Sequence, residues 1–131
     1  MFEQRSVKVW WRGHRLTPDV YGATVGFPRE ETYGLTAQIR RSCASIPANI
    51  AEGCGRSGDA ELARLMQIVM GSASELEYHL LLAHDLGFLN LEEHQRLSKK
   101  AQEVKRMLST FINKLRSSQP ANEITGRSRR A

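Results

Sequence analysis

Cysteine, proline and aromatic residues are all scarce in this chain, and each scarcity excludes something. Two cysteines, Cys43 and Cys54, are too few for a disulfide framework. In a reducing compartment they remain thiols, with Cys43 a small buried apolar residue. Only four prolines interrupt 131 residues, which argues against a many-stranded, turn-rich sheet. Aromatic residues make up 7% and are not interleaved with the basic ones, so base stacking in the manner of single-strand binders is not written into the pattern. No apolar run approaches the roughly 20 residues that cross a bilayer. The opening MFEQRSVKVWW has neither an apolar core nor a small-residue cleavage site, so a cytoplasmic location is expected. The chain also lacks HExxH, a Walker loop, a nucleophile elbow and Cys-x-x-Cys.

What is present is helical periodicity. Val9, Gly13, Leu16, Val20, Ala23 and Phe27 share one face of a first helix over about 7–26. Pro18 either kinks it or, with Thr17 as cap, splits it in two; one kinked helix is the favoured reading. A second helix runs from about 32–35 to 52, with Leu35, Ile39, Cys43, Ile46 and Ile50 as its stripe. Pro47 removes the usual donor to the Cys43 carbonyl, so a bend is expected there, and Gly53 has the character of a left-handed closing residue. Asn49 and Glu52, close to the buried stripe, should have fixed partners. A third helix over 59–86 carries Leu62, Met66, Val69, Ala73, Leu76, Leu80 and Ala83. Beside them lies a second, mixed stripe: Leu65, Ile68, Ser72, Glu75, His79 and Leu82. Such a spare stripe suggests an oligomer interface. Gly87-Phe88 reads as its stop. A fourth helix, 91–116, starts at a capping box, Asn90 to Glu93, and carries Leu97, Ala101, Val104, Leu108, Phe111 and Leu115. Short links favour antiparallel neighbours. The expected fold is all-α, an up-down-up-down four-helix bundle over 1–116 with a kink near Pro47, followed by a polar, mobile tail, 117–131.

The net charge is +5 and unevenly spread. Residues 59–86 hold five carboxylates against one basic residue, whereas 87–116 hold seven basic residues against three acids. Arg96, Lys99, Lys100, Lys105 and Arg106 decorate the fourth helix, and Arg40, Arg41 and Arg56 the second helix and its exit. Arg127, Arg129 and Arg130 end the tail. Clusters of this kind attract phosphates, although a solvated face would look the same. Trp10 and Trp11 should divide into one core and one interface residue.

Two short runs imitate known chemical motifs. Gly53-Cys54-Gly55-Arg56-Ser57-Gly58 matches G-x-G-x-x-G, but a helix precedes it where a dinucleotide fold needs a strand, so no cofactor is expected. Glu75 and His79 lie one turn apart and would supply half a metal site. No second half is evident, and a structural hydrogen bond is the expected role, with no metal and no catalytic residue.

The run Tyr33 to Arg56, YGLTAQIRRSCASIPANIAEGCGR, resembles the second-helix signature of the bacterial 23S ribosomal RNA intervening-sequence protein family, also called four helix bundle proteins. Phe27-Pro28, Gln38 to Arg41, Ser45-Ile46-Pro47, Asn49 to Gly53, and Gly71-Ser72 followed by Glu75-Leu76-Glu77 carry the likeness, which covers about 9–116. Pro18, Gly22 and Ala73 depart from the pattern. The resemblance implies a ring-shaped homo-oligomer, typically a pentamer. Related bundles are accessory proteins of diversity-generating retroelements, where a basic pentamer binds nucleic acid and a reverse transcriptase. The expected function is therefore a non-enzymatic homo-oligomer that binds structured RNA or DNA through the residues of helices 2 and 4 named above. The alternative is a protein-interaction scaffold or accessory subunit, for example of a reverse transcriptase, without direct nucleic-acid binding.

Overall fold

The computed structural model describes residues 4–55 and 58–118. Four α-helices make up the fold: α1 (Gln4–Thr24), α2 (Leu35–Cys54), α3 (Asp59–Asp85) and α4 (Leu91–Ser117), with a short 3₁₀ turn, Arg29–Glu31, before α2. No strand occurs among the described residues. Each helix packs on two others in cyclic order, α1 on α2, α2 on α3, α3 on α4 and α4 on α1, with no close backbone approach across either diagonal among the described residues. Along the shared faces Thr24 meets Arg40 and Thr17 meets Cys43, while Asp19 meets Arg96 and Arg12 meets Glu103. Residue numbers therefore rise along α1 as they fall along α2 and α4. The result is a four-helix bundle.

The stripes of apolar residues converge on one core. Val9, Leu16 and Val20 from α1 and Leu35, Ile39, Cys43, Ile46 and Ile50 from α2 are buried, as are Met66 to Ala83 at their helical spacing on α3 and Leu97 to Leu115 on α4. Helices of this length are marginal alone in water, so burying these faces against one another is what holds them.

α1 is one helix through Pro18, so the two-helix alternative is not adopted, and α2 likewise continues past Pro47. Near each proline a side chain bonds a backbone carbonyl: the Thr17 hydroxyl donates to Gly13 O at 3.0 Å, and Asn49 Nδ2 to Ser45 O at 2.8 Å. Gly53 departs from its expected role. It is buried inside α2, which ends one residue later, and it lacks a left-handed φ. A Cβ there would sit 3.0 Å from Leu62 Cδ1 and 3.1 Å from Met66 Cε, so the glycine lets α3 approach α2 closely.

The α3 stop is as expected. Gly87 has φ 82°, Gly87 N–H donates to His84 O and Phe88 N–H to Ala83 O, both at 2.9 Å, which is the Schellman pattern. Phe88 then folds back to meet Phe27 at 5.7 Å between ring centroids. Asn90 Oδ1 accepts from Glu93 N–H at 2.8 Å and caps α4. The helix ends at Ser117, and residues 119–131, with Arg127, Arg129 and Arg130, lie outside the described residues. No described helix is long and apolar enough to cross a membrane.

Candidate nucleic-acid interface

Tertiary structure sorts the basic residues into engaged and free. Arg96 makes a bidentate pair with Asp19, at 2.8 and 2.9 Å, and also holds Glu93 at 2.8 Å. Lys100 reaches the same Asp19 carboxylate at 2.6 Å, and Lys105 bonds Glu77 at 2.7 Å. Arg40 donates to the Thr24 hydroxyl at 2.9 Å and to Tyr21 O at 3.3 Å, with its guanidinium over the Tyr21 ring. These four cations fasten helices to one another. Arg41, Lys99 and Arg106 are exposed and make no hydrogen bond or ion pair among the described residues. Arg56 lies outside the described residues.

A second set of cations comes from α1. Arg5, Lys8, Arg12 and Arg15 recur at spacings of three and four, so they form one stripe roughly 15 Å long. Two shallow grooves join this stripe to α4. Arg5, Lys8, Arg106, Met107 and Thr110 line one, and Trp11, Arg12, Arg15, Lys100 and Glu103 line the other. Glu103 pairs with Arg12, whereas Lys8 and Arg15 make no ion pair among the described residues. Trp11 is 50% exposed within this surface, while its neighbour Trp10 is half-buried against the core. The stripe was available from the sequence, being the polar flank of the Val9–Gly13–Leu16 face.

Asp19 organises the seam between α1 and α4. The Arg96 guanidinium and the Lys100 ammonium hold its carboxyl at about 2, below its ordinary value of 3.8. Glu93 is also lowered, through Arg96. A depressed carboxylate stabilises the fold fully above its unfolded pKa and loses that contribution as pH falls through the folded value. Asp19→Asn should therefore lower stability by about 1 kcal/mol at neutral pH, a figure discounted for the solvent exposure of Arg96 and Lys100. Urea unfolding of both proteins should show this difference at pH 7 and its disappearance between about pH 4 and pH 2. A difference that persists unchanged at pH 2 would refute the assignment.

The spare stripe of α3 divides. Leu65 and His79 are buried in the chain's own core, Ser72 and Leu82 are half-buried, and Ile68 and Glu75 are exposed. α3 packs on both α2 and α4, so it buries a wider sector than a single stripe. His79 Nδ1 is buried without a hydrogen-bond partner, and no group of three or more His, Cys, Asp or Glu side chains that could hold a metal occurs among the described residues. Burial pushes the Cys43 thiol up to about 11, so it stays protonated and unreactive at neutral pH.

These features define a four-helix bundle with a seam rich in basic residues along one side. The chain belongs to the 23S rRNA-intervening sequence protein family, whose model matches residues 5–110. Its fold is similar to that of a crystal structure from Bacteroides thetaiotaomicron, a protein of unknown function from the S23 ribosomal protein family. The two share 21% identity and a TM-score of 0.77, over 84% of this chain and 99% of that one. No match was found among curated proteins.

Proposed function

We propose that the protein is a non-enzymatic, self-associating cytoplasmic bundle that grips structured RNA by its phosphate backbone along the α1–α4 seam. The observation that carries this reading is the α1 stripe. It joins the exposed cations of α4, and Lys8, Arg15 and Arg106 are left free of internal partners among the described residues. Lys8, Arg15 and Arg106 would gain from displacing the counterions of a polyanion, whereas cations already bonded to carboxylates gain little. The family takes its name from intervening sequences of 23S rRNA, which makes RNA the first polyanion to test. Self-association, with the pentamer that the family likeness implies, would use the exposed flank of α3 around Ile68 and Glu75. Ile68, 46% exposed, is the large apolar residue of that flank. The same flank favours a second reading, a docking scaffold for a protein such as a reverse transcriptase.

Filter binding of a structured RNA across a salt series tests the first reading. Log affinity should fall linearly with log salt, at about 0.9 for each duplex phosphate neutralised. Absence of binding at low salt, or an affinity indifferent to salt, would end it.

A further inference from the structure

We infer that the cleft between α3 and α4 receives an unpaired nucleobase of the RNA whose phosphates lie on the α1–α4 seam, an inference that rests on the reading above. The cleft is open, about 770 Å³, and its lining combines three chemistries. Tyr78, 59% exposed, and Leu81, 44% exposed, supply an aromatic face and an apolar wall. Gln95 and Gln102 present amides that donate and accept, as a base edge requires. Lys99 and Arg106 complete it with positive charge and have no ion-pair partner among the described residues. The carboxylate in the lining, Glu77, is already bonded to Lys105 at 2.7 Å, so the cleft remains cationic toward a ligand.

A purely apolar protein surface would not need free cations beside the aromatic ring. A free phosphate would not need the ring or the amides. An aromatic face, paired amides and phosphate-seeking cations together match a nucleotide. Continuity with the proposed backbone groove strengthens the assignment. Arg106 lines both the cleft and the groove formed with Arg5 and Lys8, so a strand leaving one enters the other. Duplex bases are stacked away from such a cleft, so the bases that reach it come from loops, bulges or ends.

The test compares a hairpin RNA with a blunt duplex of the same stem, using fluorescence anisotropy with the full chain and a salt series for each. The hairpin should bind about 10-fold more tightly, the range expected of one stacked base. Tyr78→Ala should abolish that preference and leave the duplex affinity and its salt slope unchanged, while Tyr78→Phe should retain the preference. A 4-thiouridine placed in the loop should crosslink to the peptide carrying Tyr78. Equal binding of hairpin and duplex by the native protein would overturn the inference, as would an equal loss of both on Tyr78→Ala. It also fails if Tyr78→Ala alters the mass by light scattering but not the preference, since the cleft would then be a contact between copies. Failure of both RNAs to bind at low salt would instead overturn the backbone reading itself.

Discussion

Reversing two charges on α1, Lys8→Glu with Arg15→Glu, should lower RNA affinity roughly 100-fold at moderate salt and reduce the slope of log affinity against log salt by about 2. Both residues are exposed and without ion pairs among the described residues, so the reversal leaves the fold's own salt bridges in place. The matched control is Arg40→Gln. Arg40 is occupied by Thr24 and Tyr21, so its loss should weaken the packing of α1 on α2 and change RNA affinity far less. Filter binding and thermal unfolding measured side by side separate the two outcomes. A double reversal that leaves affinity untouched would show that the α1 stripe is only a solvated flank.

The second large effect concerns Gly13. This residue is buried in the middle of α1 where the helix crosses α2, and a Cβ there would lie 2.8 Å from Ile46 Cγ2 and 3.6 Å from Pro47 Cδ. Ile46 is fully buried and branched at Cβ, and Pro47 is held by its ring, so neither has room to yield. Gly13→Leu should therefore force the two helices apart and cost about 3 kcal/mol, at the upper end of overpacking. For a chain of this size that lowers the melting temperature by about 10 °C. Gly22, in the same helix, has nothing within 4 Å of its built Cβ. Gly22→Ala should stabilise by roughly 0.5–1 kcal/mol, because alanine loses less backbone freedom in a helix. Two glycines of one helix would then respond with opposite sign in calorimetry. Stabilisation at both would show that the close crossing at Gly13 is not real.

The bundle was legible because its information is local and periodic. The α4 stripe from Leu97 to Leu115 and the α2 stripe from Leu35 to Ile50 recur every three or four residues, and all of their members are buried. The end of α3 at Gly87 and the cap at Asn90 were legible for the same reason, since a short run of residues fixes each turn. Gly53 was not. Its role is to admit Leu62 and Met66, and nothing in the flanking sequence records that approach. The candidate site was only half legible. A count of arginines and lysines gives Arg96 the same weight as Lys99, but Asp19, 77 residues earlier, engages Arg96 through the packing of α1 on α4. Likewise, Tyr78 and Lys99 stand on different helices and meet only in the folded cleft. Sequence spacing finds cations, and tertiary proximity decides which are free.

The joint between α1 and α4 has a kinetic consequence. The other three interfaces link helices adjacent along the chain, whereas this one joins its two ends and closes the longest loop. Such a closure carries the greatest entropic cost, so it should be the last latch to engage during folding. A polyanion draped across Arg12, Arg15 and Lys100 would bridge that latch from outside. Cargo and clasp would then be one, and the emptied protein would be the more easily undone.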